Sequence, residues 1–133
     1  MKQKTSINQI QQLADVAPVI SSGEEGIVFA NLASILSEIR KLKGVRGYIM
    51  RSETAALVDL AEEGVLNEYA MLASQICECT PGMMKQFNLT DIESIIVEGK
   101  TVKVLCINIG ENRISVFMDK ACSHAWIVKR LLL

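Results

Sequence analysis

The side chains able to do chemistry in this chain are few. His124 is the single histidine, and the soft ligands are four cysteines, Cys77, Cys79, Cys106 and Cys122. Catalysis requires a nucleophile beside a base, or several titratable groups that converge, and a lone histidine near a helix start offers neither. Cys77 and Cys79 are two apart, a spacing that puts side chains on different sides of a helix. A metal site would need Cys-x-x-Cys, or histidines at helical spacing, and both are absent. The thiols therefore read as core or interface groups, with redox sensing at Cys122 as the residual chemistry. Gly23-Glu24-Glu25-Gly26 and Gly44-Val45-Arg46-Gly47 lack the lysine and hydroxyl of a phosphate loop, and the second leads into a strand, so these are turn glycines. No catalytic residue, cofactor or metal ligand is assigned.

What must be positioned is thus a surface, and the elements that build it are legible from periodicity. Between Asp91 and Asp119 three apolar β-branched runs, Ile92 to Val97, Val102 to Ile109 and Ile114 to Met118, are joined by Glu98-Gly99-Lys100 and Gly110-Glu111-Asn112. Short glycine turns between such runs predict a three-stranded antiparallel meander. The middle run is apolar at Leu105, Ile107 and Ile109 and also at Val102, Val104 and Cys106, which lie on opposite faces. Such a strand needs cover on both sides, so helices are expected above and below the sheet.

The preceding sequence supplies that cover. Val28, Leu32, Ile35, Ile39 and Leu42 recur at helical spacing and end at Gly44, a natural helix stop. Val45 to Arg51 and Ala55 to Leu60 predict a hairpin about Ser52-Glu53-Thr54, bringing the sheet to five strands. Leu66 to Phe87 predicts a second long helix with two apolar stripes. One is bulky, with Tyr69, Leu72, Ile76, Met83 and Phe87; the other, Leu66, Ala70, Ala73, Cys77 and Met84, is small in its middle. Two stripes imply a second neighbour, and small residues allow close helix approach, so the second stripe is the candidate interface with another copy of the chain. Pro81-Gly82 predicts a kink or break near Cys79 to Gly82. Asp119 to Leu133 closes the chain as a short helix with Ser123 as N-cap. The expected class is α+β, a five-stranded antiparallel sheet between helices in the order α-β-β-α-β-β-β-α, over residues 24–133. Residues 1–23 form an arm in which Ile7, Ile10, Leu13, Ala14 and Ala17 suit a short helix.

Composition narrows the partners. Lys and Arg number 14 against 15 Asp and Glu, for a net charge of −1, which leaves no basic stripe for nucleic acid. Aromatics are 5% of residues, so the core is aliphatic. MKQKTSINQIQQ is too polar for a signal peptide and no run has the length of a membrane span. A reducing cytoplasm with free thiols is expected.

In this order of elements the chain resembles the roadblock family, named for a dynein light chain and including bacterial and archaeal regulators of small Ras-like GTPases. The resemblance is carried by Lys43-Gly44-Val45-Arg46-Gly47-Tyr48-Ile49 leading into the first strand, and by the Ala-bearing second helix. Ile95-Ile96-Val97-Glu98-Gly99-Lys100, Asn112-Arg113-Ile114-Ser115-Val116 and the short terminal helix complete it. It covers Gly26 to Leu133, and departs from the family at Ser52-Glu53-Thr54 and at Pro81-Gly82. It implies a non-catalytic homodimeric regulator or adaptor of a small Ras-like GTPase, or of a complex containing one. It also implies that middle helices pair and third strands meet edge to edge, which brings Ile92, Ser94 and Ile96 into the interface. An arginine reaching into a GTPase site from Arg46, Arg51 or Arg113 is conceivable, and nothing in the sequence selects one. Two other readings stay open. One is a small-molecule sensor, which needs a pocket between sheet and helix where Asn108 and Ser115 are the available polar groups, and which is expected to be filled. The other is a structural assembly subunit.

Overall fold

The computed structural model describes residues 24–89 and 92–133. The expected arm at 1–23, with its helix at 6–17, lies outside the described residues. The elements are α1 (Glu24–Arg40), β1 (Val45–Arg51), β2 (Ala56–Leu60), a 3-10 turn (Glu63–Val65), α2 (Leu66–Lys85), β3 (Ser94–Glu98), β4 (Val102–Ile109), β5 (Asn112–Asp119) and α3 (His124–Leu132). The five strands form one antiparallel sheet in the order β2-β1-β5-β4-β3. This is the α+β architecture the pattern predicts, and β3 is an edge.

The sheet is covered on both faces because β4 and β5 alternate two apolar sets. Leu105, Ile107, Ile114, Val116 and Met118 face α1 and α3, where Phe29, Leu32, Leu36, Ile39, Ile127 and Leu131 complete one core. Val104, Cys106 and Phe117 face α2 and meet Leu66, Ala73 and Ile76 in a second core. The rings of Tyr69 and Phe117 stack at 4.2 Å and 15°. An ion pair between Arg130 and Glu38 at 2.8 Å ties α3 to α1.

Two glycines set the start of the sheet. Gly44 reverses the chain after α1 at φ +93, and Gly47 sits at φ +153 where the β1–β5 register shifts. That shift is a bulge, and it brings the β2 backbone so close that a Cβ on Gly47 would lie 2.4 Å from the Asp59 carbonyl oxygen. Only glycine fits there.

Several boundaries and faces differ from expectation. The buried stripe of α1 is Phe29, Leu32, Leu36 and Ile39, while Val28 and Leu42 are exposed; the helix is rotated relative to the predicted stripe because the true core residues also repeat at three and four. β2 starts at Ala56 and β3 spans Ser94–Glu98, so Ile92 precedes the strand. α3 begins at His124, capped by Ser123, whose Oγ accepts from the Trp126 N–H at 3.3 Å. α2 runs unbroken through Pro81 as one helix rather than two. A proline removes one hydrogen bond from the ladder without preventing the flanking turns from closing their own.

Candidate interaction surface

α2 follows β2 in the chain and leads to β3, so it passes from one sheet edge to the other. At 1.5 Å per residue its 20 residues extend about 30 Å, whereas five strands span only about 19 Å between their outer axes. Its first half lies on the sheet and its last turns overhang. From Glu78 to Leu89 only Thr80 and Met84 are less than exposed. Met83, Phe87 and Leu89 are 58%, 71% and 55% exposed, and Met71 and Leu72 are exposed on the first half. The helix closes on Asn88 in the left-handed region at φ 62, with the Leu89 N–H bonding back to the Met84 carbonyl at 3.1 Å. This satisfies carbonyls that the helix end would leave bare.

The structure separates the residues that the sequence grouped as an interface. Leu66 and Ala73 are buried on the chain's own sheet, and Ala70 and Cys77 pack half-buried against the same core. Met84 is half-buried on the overhang. The small stripe is therefore the sheet-facing side of α2, since small side chains let a helix lie close to a sheet as readily as to another helix. The bulky stripe is divided: Tyr69 and Ile76 turn inward, while Leu72, Met83 and Phe87 face out. On β3, Ser94 is exposed, Ile95 packs beneath α2 and Ile96 packs on the α1 side, while Ile92, ahead of the strand, is half-buried. Val97, on the α2 face beside Ile95, is 41% exposed. Among the described residues β3 pairs with β4 alone, which leaves its other edge without a strand partner. Apolar overhang and open edge lie at the same side of the molecule.

The other residues singled out for chemistry are spread apart. His124 Nδ1 lies 3.0 Å from the buried Lys103 Nζ. Arg46 donates through Nε to Asp119 at 2.7 Å, and that hydrogen bond raises its pKa from the ordinary arginine value. Arg51 and Arg113 stand opposite each other in the β1–β5 register. Among the described residues no cluster of His, Cys, Asp and Glu gathers to hold a metal ion. No helix among them is long and apolar enough to cross a membrane.

The expected filled space between sheet and helix is instead an open cleft of about 530 Å³. It lies where one flank of α2 passes the β1–β2 and β4–β5 turns, lined by Arg51, Arg113, Cys77, Glu78, Asn108 and Ser115 among others. Ala70, Ala73 and Ser74 are too small to fill the gap between backbone and turns, which is why it stays open. The sequence pattern contained Asn108 and Ser115, but the emptiness depends on which way the small side chains face.

No family model matches the sequence, and no curated protein matches it at the level of sequence. Solved structures do match in shape. A Roadblock/LC7 domain from Streptomyces avermitilis aligns with a TM-score of 0.61 at 12% identity, covering 74% of this chain and 87% of that one. MglB of Myxococcus xanthus aligns at 0.58 and 12%, covering 78% and 88%. The gliding protein MglB of Thermus thermophilus aligns at 0.53 and 12%, covering 83% and 84%.

Proposed function

With the roadblock fold as its premise, we propose that this chain is a non-catalytic, cytoplasmic homodimeric regulator or adaptor that binds a small Ras-like GTPase or a complex containing one. The observation that carries the reading is the coincidence of an open β3 edge with an apolar α2 overhang. An unpaired edge is a template for another strand, and contiguous exposed apolar side chains mark interaction surfaces. Two copies joined through Ile92, Ser94 and Ile96 would extend the sheet and bring their α2 helices together about the two-fold axis. Met83, Met84 and Phe87 would then be covered by the partner helix, with Leu66, Ala70, Ala73 and Cys77 seating each helix on its own sheet. The outward parts of α2, near Met71 and Leu72, are left for the GTPase. The resemblance to the roadblock family supports the choice of a GTPase partner, and the structural likeness to MglB supports the regulator kind.

Light scattering of the full chain should give the mass of two copies. Val97→Lys with Phe87→Glu should give one copy with unchanged circular dichroism, because both side chains are exposed in the single chain and a charge there opposes only association. Titration with small GTPases from the same genome, loaded with GDP or with a GTP analogue, should give binding that depends on the nucleotide. Binding to none of them in either state removes the central claim, and tight binding indifferent to nucleotide indicates a structural subunit instead.

A further inference from the structure

The cleft beside α2 contains a thiol. Cys77 and Ser115 line it, Cys77 half-exposed, and Cys106 is buried at 2% exposure with its Sγ 3.5 Å from the Ser115 Oγ. Cys77 packs against the buried core that contains Cys106. On the cleft wall Arg51 and Arg113 are directly opposite across β1 and β5, and neither forms an ion pair among the described residues. Both side chains are exposed at the cleft, where they present two positive charges to a bound group. Glu53, Glu78 and Glu111 line the same cleft from the β1–β2 turn, α2 and the β4–β5 turn. Two guanidinium groups with three carboxylates match a zwitterion better than a polyanion. A space of this size is in the range that holds small organic molecules.

We propose that Cys77 is a thiol-modification site, and that the cleft binds an amino-acid-like, zwitterionic low-molecular-weight disulfide and exchanges with it. Cys77 Sγ, its proton released to solvent, attacks one sulfur of R–S–S–R. The Cys77–S–S–R bond forms as the old S–S bond breaks, and the departing thiolate RS⁻ keeps the electron pair and takes a proton from water. Cys77 is oxidised and half of the disulfide is reduced. The arginine pair receives the carboxylate of R and the glutamates its ammonium. The electrostatics agree: the Cys106 thiol, followed by Arg113, lowers the Cys77 pKa to about 7 against the opposing effects of burial and Glu78. Cys106 is itself held protonated, by neighbouring Cys77 and by burial. It is therefore a positioning residue that steadies the Cys77 thiolate and a poor nucleophile toward the adduct, so the mixed disulfide is the end product. This inference stands on the cleft and is independent of the GTPase reading.

Reduced full-length protein is incubated with oxidised glutathione as the probe, and the product is followed by intact mass and peptide mapping. One glutathionyl group is expected on Cys77 ahead of the exposed Cys79 and the half-buried Cys122. The rate should saturate with probe concentration and rise with pH through a midpoint of about 7. Neutral 2-hydroxyethyl disulfide should react without saturation. Arg113→Gln should lower the apparent affinity for oxidised glutathione about tenfold, as loss of one charge-assisted bond does. Cys106→Ser should raise the midpoint toward that of an ordinary thiol; if that variant fails to fold, saturation and the wild-type pH profile decide. Modification of Cys79 or Cys122 before Cys77, equal non-saturating rates with both disulfides, or a Cys77–Cys106 disulfide as the product would each overturn the proposal.

Discussion

One chemical change, glycine to alanine, can be made at four places where the structure demands four different costs. At Gly47 the added Cβ would lie 2.4 Å from the Asp59 carbonyl oxygen, 2.7 Å from the Leu60 Cα and 2.8 Å from the Leu60 Cδ2. Two of these atoms belong to the β2 backbone, which cannot retreat without parting from β1. The conformation at φ +153 costs alanine about 1–3 kcal/mol, and the overpacking about 1–3 kcal/mol more. Together they remove a large share of the roughly 5–15 kcal/mol that holds a domain folded. At Gly44 the nearest atoms to a Cβ are 3.6–3.8 Å away, so the positive φ alone acts, at about 1–2 kcal/mol. Gly110 at φ +59 has nothing within 4 Å, and alanine there costs about 1 kcal/mol. Gly82 lies within α2 with open space around it, and alanine should stabilise by about 0.5–1 kcal/mol. Urea unfolding followed by circular dichroism gives the four differences on one scale, provided the denaturant slopes agree. The order of stability should be Gly82→Ala above wild type, then Gly110→Ala, Gly44→Ala and Gly47→Ala. A Gly47→Ala protein within about 1 kcal/mol of wild type, or no worse than Gly110→Ala, would refute the close approach of β2 at the bulge.

Two further outcomes test the core and its electrostatics. Leu36→Ala should cost about 2–5 kcal/mol because Leu36 is 0% exposed, whereas Val28→Ala, at 39% exposed, should cost under about 1 kcal/mol; equal costs in urea unfolding would mean that α1 presents the other face. Burial, then Asp59, push the Tyr48 hydroxyl up to about 12, with Arg40 opposing. Because the folded pKa exceeds the unfolded value near 10, this stability is complete below about pH 10 and is lost as pH rises through about 12, amounting to roughly 2–3 kcal/mol. Comparing urea unfolding near pH 8 and pH 11, Tyr48→Phe should lose less stability than wild type; an equal loss places the alkaline sensitivity elsewhere.

The number and order of the elements were legible in the sequence because each is written in local periodicity. β4 announces two covered faces by being apolar at both parities, and Leu105 and Ile107 do face α1 while Val104 and Cys106 face α2. Ser123 is a cap by type and position, and it caps. The edge position of β3 came only with the family resemblance, since strand order is a matter of long-range pairing.

What periodicity cannot supply is the rotation of a helix about its axis. Leu66, Ala70, Ala73 and Cys77 share a stripe in any α-helix, but whether that stripe meets a sheet or a second copy depends on which set of side chains the sheet surface admits. Here Tyr69 stacks on Phe117, and Leu66 and Ala73 are buried against the chain's own sheet. The same rotation leaves Met83 and Phe87 outside and opens the cleft in front of Cys77. The sequence by itself determined the elements and the two-sided sheet, because these follow from neighbours three and four, or two, residues apart. Tertiary structure alone decided the exposed face of α2, the opposition of Arg51 to Arg113 and the packing of Cys77 against the core around Cys106, because each joins residues whose separation in sequence carries no local signal.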